Sequence, residues 1–552
     1  MSVRTATLLL ALPFLVPSAL SAEEAKPRGS DPVFATSGIA STFSLPEASR
    51  DAKVPTPESV LGHRIGARYT TPEEILVYAR AVAAASPRVK VVPYGRTPEG
   101  RELIQLQIST PANLARIEEI RRGVVALASE EGARKESAER IAERSPVVVW
   151  IQCGVHGDEA SGPEAALALL YVLAASNEAD VLRDLESTVL LLDPDVNADG
   201  RGRHVAWWRS VAGAEDADPD PDGLEHQKTF WPAGRVNHYG FDMNRDWAFL
   251  TQPETRARVA AARAFPPQVF VDVHEMGAES SYFFPPAASP VHKEVPESSG
   301  RWLETFGRAN AHAFDEQGWG YFVREVFDLY YPAYGDSWPT LRGAVGMTYE
   351  MAQSPGLSYL REDGHVLTLK ERALKHTTAL RATLATAAAN RKALLLDFAA
   401  FTRSSIERGT RAFVLPAGQD RSRLHALATL LDEQGIRVEV TTKPISGFQG
   451  RKDPLPEGSL LVDSAQPLGR LASTLLEKSA GLSPAFLETE RRNLLTEEQE
   501  AFYDVTAWSL PHAFALASFE TTEKARFAGA RAPWNRSRPL EAVPAARFGW
   551  LL

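Results

Sequence analysis

Residues 155–162 read VHGDEASG, placing His156 three residues before Glu159. Imidazole nitrogen and carboxylate oxygen are the donors of a catalytic zinc site, which takes three protein ligands and leaves a position open for water. A third donor stands in VFVDVHEMG, where His274 ends an apolar run. His156, Glu159 and His274 thus form a candidate His₂Glu set for one Zn²⁺ per chain. Hydrolysis at such a centre also needs a base for the water's proton. Glu350 in GMTYEMA fits that role, at the end of a short apolar run where a buried, unpaired carboxylate would be costly. Glu275 and Glu279 are rivals, although on an extended chain Glu275 points away from its neighbour His274.

Substrate-gripping residues come next. Asn244 and Arg245 stand side by side in HYGFDMNRDWAF. An Arg fork pairs bidentately with a carboxylate and an Asn amide can donate to the same group, so the pair suits a substrate's terminal carboxylate. Arg209, behind two tryptophans in HVAWWRS, is a candidate to polarise a scissile carbonyl and stabilise its oxyanion. For each arginine alone the competing explanation is a surface ion pair.

The elements that must position these side chains alternate. SPVVVWIQCG reads as a buried strand and EAALALLYVLAAS as a helix, so the His156–Glu159 pair falls in the turn between them, at the strand edge where α/β sheets bind ligands. Further strands are expected at STVLLLDPDVN, QVFVDVHEMG and AVGMTYEM, and a hairpin at KVVPYG and ELIQLQIS. Helices are expected at TPEEILVYARAVAAAS and PETRARVAAARAF, with a closing helix over about residues 367–396. ANLARIEEIRRGVVALASEEGARKESAERIAERS reads as a charged amphipathic surface excursion. This is an α/β fold with a mixed, mainly parallel sheet flanked by helices. RAFVLPAG, RLHALATLLDEQG, IRVEVTTKP, GSLLVDSAQP and GRLASTLLEKS restart the pattern as a smaller α/β domain over 410–520, followed by a basic tail at 521–552.

With 552 residues, 44% hydrophobic and 24% charged, the chain is long enough for more than one domain. A net charge of −10 argues against a nucleic-acid or anionic-membrane surface. Residues 1–22, MSVRTATLLLALPFLVPSALSA, have the layout of a cleavable signal peptide, with cleavage expected near Ala22 and no stable membrane anchor. The expected location is secreted or periplasmic. Cys153 is the only cysteine, so no intramolecular disulfide forms, and its apolar surroundings mark it as a core residue. Residues 23–60 read as a linker or lightly packed arm, and the main domain as 61–396.

Taken as a set, HGDE, WWR, DMNRDW, DVHEMG and GMTYE resemble, in order, the zinc carboxypeptidases of the carboxypeptidase A type, peptidase family M14, over roughly residues 60–395. That resemblance implies a zinc-carboxypeptidase-like fold and zinc bound by His156, Glu159 and His274. It makes Glu350 the general base and later proton donor, gives Arg209 the carbonyl, and has Asn244 and Arg245 hold the C-terminal carboxylate. It further implies a mobile tyrosine, for which DLYYPAYGDSWP offers Tyr330, Tyr331 and Tyr334, with Tyr330 or Tyr331 favoured by spacing. Asp336 falls near the position that shapes the side-chain pocket, where it would favour a basic terminal residue, unless it only forms the turn in YGDS. The long loop between Arg209 and Asn244, with its acidic segment 213–226, is a candidate roof for the cleft. The second domain resembles a small domain of glutamine-amidotransferase-like topology found in some large bacterial members. Without a cysteine it has no amidotransferase nucleophile.

The leading expectation is therefore a secreted zinc carboxypeptidase acting on peptides with a free C-terminal carboxylate. The competing expectations are a zinc amidase or endopeptidase on cell-wall peptides, an N-acyl amino acid deacylase and, last, a non-enzymatic metal-binding module.

Overall fold

The computed structural model describes residues 43–213, 217–227, 233–448, 452–496 and 505–537. The expected signal peptide lies outside these, as do residues 23–42 of the arm and 538–552 of the tail. The remainder of the arm is packed: Leu45 and Val54 are buried, and Thr56 caps a short helix, Pro57–Leu61.

Among the described residues the first part is built from β1 Val89–Arg96, β2 Glu102–Ile108, β3 Val147–Cys153, β4 Thr188–Asp193, β5 Val269–Met276, β6 Tyr282–Phe283, β7 Ala288–Val291, β8 Asp328–Leu329 and β9 Val345–Ala352. All but β7 and β8 form one seven-stranded sheet in the order β1-β2-β4-β3-β5-β9-β6. Its central strands β4, β3, β5 and β9 are parallel, while β1, β2 and β6 run antiparallel to their neighbours. Strands covered on both faces lose the polar alternation of a half-exposed sheet. Accordingly every residue of β3 is buried: Val147, Val149, Ile151 and Cys153 enter one core, Val148 and Trp150 the other.

From β3 the chain passes through the wholly buried helix Ser161–Ala175 to β4 on one side, then returns to β5 on the other. Such a reversal opens a crevice at the carboxyl ends of the strands. A Thr71–Glu74 capping box starts the helix Pro72–Ala85, as its Thr-Pro-Glu-Glu sequence predicts. The single closing helix expected over 367–396 is instead two, Leu369–Ala389 and Arg391–Arg408. The break falls at Asn390, whose side-chain amide donates to the Thr386 carbonyl at 2.8 Å, a local bond that competes with the helix ladder.

After the hairpin β10 Ser358–Leu360 and β11 Val366–Thr368, the C-terminal region carries β12 Ala412–Leu415, β13 Glu439–Thr441, β14 Leu460–Asp463, β15 Phe519–Thr521 and β16 Arg531–Pro533. They form a second sheet, β15-β12-β14-β13-β16, in which every ladder is antiparallel. The crossovers of an amidotransferase-like β-α-β series would set strands parallel, so that expected topology is corrected. β16 also lies within the stretch read as tail, and it pairs with β13. One apolar cluster runs from Trp150 and Phe270 of the first sheet to Leu427, Leu431 and Leu471 of the C-terminal region. No helix among the described residues is long and apolar enough to cross a membrane.

Candidate active site

The turn after β3 is shaped by two glycines. Gly154 has a left-handed φ of +71°, and a Cβ on Gly157 would lie 2.2 Å from the Arg201 nitrogen. With no side chain there, the turn packs against the start of the helix Ala198–Val211, and the Gly157 N–H donates to the Gly234 carbonyl at 3.0 Å. His156 and Glu159 flank that anchor. Alternation along β5 sends Val271 and Val273 into one core and His274 to the opposite face, where Glu350 of β9 is its cross-strand partner in register. Glu275 turns the other way, as the sequence predicts: it accepts from the Ser161 hydroxyl at 2.5 Å and pairs with Arg372 at 3.2 Å.

Three donor groups converge. His156 Nδ1 is 2.7 Å from Glu159 Oε1, His274 Nδ1 is 3.0 Å from Glu159 Oε2, and the two Nδ1 atoms are 3.3 Å apart. Zinc–nitrogen bonds of about 2.0–2.1 Å at the tetrahedral angle set two imidazole nitrogens roughly 3.3–3.4 Å apart, so the spacing fits the ion. Behind the rings, His156 Nε2 is 3.0 Å from Asp242 Oδ1 and His274 Nε2 is 2.9 Å from Asp272 Oδ2. Asp272 also accepts from the Gln152 amide at 2.8 Å. Carboxylates behind metal-binding imidazoles hold the proton on Nε2 and aim the Nδ1 lone pair at the ion. Burial raises the Asp242 pKa, but His156 and Arg235 outweigh it and keep this carboxyl well below its usual range.

The donors open onto a cleft of about 440 Å³, which Glu350, Arg235, Asn244, Arg245, Tyr334 and Asp336 also line. Burial pushes Glu350 up to about 8, against the pull of His274. Arg245 lies over the Tyr334 ring, its guanidinium carbon 4.6 Å from the centroid. Asn244 is committed at its oxygen, which accepts the Gly335 N–H at 2.7 Å. Asp336 serves both as cleft wall and as turn residue, accepting from Thr348 at 2.9 Å and Ser337 at 3.2 Å.

Other expected site residues lie elsewhere. Arg209 sits near the end of the helix Ala198–Val211, its side chain 44% exposed and 3.8 Å from Glu74, and it does not line the cleft. The arginine beside the three converging donor groups is Arg235, to which the sequence alone gives no role. Its guanidinium donates to Asp242 Oδ2 at 2.9 Å and lies 3.4 Å from Glu159 Oε1. The signal available in sequence was its nearness to DMNR on the same loop, against which the more conspicuous WWR prevailed. Tyr330 and Tyr331 face Trp508 rather than the cleft, and Tyr334, the tyrosine not favoured by spacing, lines it. Within the described part of the acidic segment, Glu225 accepts from Trp208 Nε1 at 3.1 Å and His226 lies 3.1 Å from Ser354 Oγ, while Arg235 brings the later part of the same loop to the cleft.

Residues 75–337 match the family model described as zinc carboxypeptidase, Peptidase_M14. Carboxypeptidase 2 of Trichophyton tonsurans is 29% identical over 134 residues, 24% of this chain and 19% of that protein. The probable carboxypeptidase 2 of Arthroderma benhamiae has the same identity over 134 residues, covering 20% of its length. The match thus spans about one fifth of these curated relatives. Among solved structures, a metallo-carboxypeptidase from Burkholderia cenocepacia is similar at 18% identity and a TM-score of 0.38, over 56% of this chain and 68% of that one.

Proposed function

We propose that this chain is an exported zinc metallocarboxypeptidase that hydrolyses the C-terminal peptide bond of peptides bearing a free carboxylate. The observation that carries this reading is the convergence of His156, Glu159 and His274, whose donor atoms lie within 4.8 Å of one another, on a cleft that also holds Glu350 and two guanidinium groups. Zinc held by these three residues would supply Lewis-acid polarisation of the scissile carbonyl and a more acidic water.

The chain's own groups do the rest. Asp242 and Asp272 fix the imidazole tautomers. Glu350 takes the proton of the attacking water and returns it to the departing amine. Arg235, held by Asp242, offers positive charge where the carbonyl oxygen becomes an oxyanion. Arg245 receives the terminal carboxylate, and stacking on Tyr334 restricts its swing. Asn244 holds the Gly335 turn and so supports this end of the cleft. Asp336 would favour a basic side chain at the residue released. The apolar segment near the start of the sequence supports export.

The test is hydrolysis of a mixed peptide library by the mature protein, read by mass spectrometry with chelator and with zinc restored. Chelator-sensitive loss of single C-terminal residues is expected. Internal cuts would transfer the case to an endopeptidase or cell-wall amidase, and no cuts despite one bound zinc would contradict the proposal.

A further inference from the structure

The C-terminal region touches the back of the cleft at two points. Gln434, fully buried, ends the helix Arg421–Gln434, which Gly435 closes at a left-handed φ of +84°. Its side-chain nitrogen donates to the Trp247 carbonyl at 2.7 Å, and its side-chain oxygen accepts the Trp338 indole N–H at 2.9 Å. Trp247 stands two residues after Arg245, and Trp338 two after Asp336. The two indoles lie against each other with centroids 4.8 Å apart, so one amide ties the loops that form two walls of the cleft.

The second point is Trp508, whose indole N–H donates to the Thr474 carbonyl at 3.2 Å and so is anchored in the C-terminal region. Its ring meets Tyr331 edge-on at 5.7 Å, and the Tyr331 hydroxyl lies 2.9 Å from Thr506 Oγ1. Tyr331 in turn packs on Tyr334 at 5.0 Å, and Tyr334 carries the Arg245 guanidinium. A continuous stack therefore leads from the second sheet's surroundings to the cation that faces the cleft.

We propose that the C-terminal region is a positioning part of the peptidase site: Gln434 and Trp508, acting through Trp247, Trp338 and Tyr331, hold the Arg245–Tyr334 pair that receives the substrate's terminal carboxylate. This rests on the carboxypeptidase reading above. A long guanidinium side chain binds a carboxylate best when its conformation is set beforehand, and the two attachments supply that setting from outside the catalytic sheet.

The experiment uses the zinc-loaded full chain carrying Glu350→Gln, so that ligand is bound and not consumed. Calorimetry measures the affinity of a free-acid tripeptide and of its C-terminally amidated twin. Trp508→Ala is expected to weaken the free acid about tenfold, with zinc still at one per chain and the amide unaffected. Trp508→Phe, which keeps an aromatic partner for Tyr331, should recover most of the loss, and Gln434→Leu should act in the same direction as Trp508→Ala. Unchanged free-acid affinity in Trp508→Ala and Gln434→Leu overturns the positioning role alone. A parent that does not distinguish free acid from amide overturns the carboxypeptidase reading itself. Should Gln434→Leu fail to fold, Trp508→Ala, at a half-buried position, decides the matter.

Discussion

At the residue scale, each group in the cleft has a distinct duty and therefore a distinct loss. Glu350→Gln keeps the shape of the side chain and removes its basicity. Zinc content should stay at one per chain while kcat falls by roughly 10²-fold or more, and undiminished turnover would remove Glu350 from the mechanism. The two arginines separate just as cleanly. Arg235→Ala should lower kcat roughly 10²-fold, as loss of an oxyanion donor does, whereas Arg209→Ala, on an exposed pair with Glu74, should leave kcat/KM essentially unchanged. Asp242→Ala removes the carboxylate behind His156 and should weaken zinc about 10–100-fold in a competition titration with a chelator. These residues were unequally legible in the sequence. The positions of His156, Glu159, His274 and Glu350 follow from strand ends and alternation, which a sequence displays. Arg235 and Tyr334 come from loops, whose direction depends on distant partners such as Gly157 and Trp508.

At the scale of elements, the site depends on how closely the turn after β3 meets the helix Ala198–Val211. Gly157→Ala would drive a methyl into backbone at 2.2 Å, so the turn and the loop bearing Arg235 must separate. A stability loss of roughly 1–3 kcal/mol is expected, together with weaker zinc binding, by thermal denaturation with and without the metal. Full stability with full zinc affinity would show that the turn accommodates a side chain. The parallel strands and their connecting helices were readable because double-sided burial leaves runs such as VVVWIQC, and because the Thr71 capping box marks a helix start. The break at Asn390 was not: the apolar pattern continues through it, where the Asn390 side chain bonds to the Thr386 carbonyl. Nor does a short strand's sequence reveal whether its partner runs parallel, which is why the second sheet came out antiparallel.

At the scale of the whole molecule, several charged groups lie deep in the fold, and Asp195 is the simplest to follow. Burial raises its carboxyl to about 7, against the pull of the Arg201 guanidinium and the Asn197 backbone. The folded pKa therefore exceeds the unfolded value of about 3.9, and the folded state holds the extra proton. The stability this gives is full below about pH 4 and is lost as pH rises toward 7. Asp195→Asn, neutral at every pH, should raise the thermal midpoint more at pH 8 than at pH 4. An equal shift at both would show that Asp195 ionises freely in the folded state. The same scale contains the shared core between the sheets, through which Gln434 and Trp508 reach the cleft; the sequence pattern announced a second region but not that it leans on the first.

On the proposed function, zinc at His156, Glu159 and His274 serves the removal of a residue next to a free carboxylate. The most direct measurement compares cleavage of one peptide with that of its C-terminally amidated twin by the zinc-loaded protein. Release of the terminal residue is expected from the free acid alone, abolished by chelator and restored by zinc. Equal cleavage of both peptides, or cleavage indifferent to the metal, would contradict it.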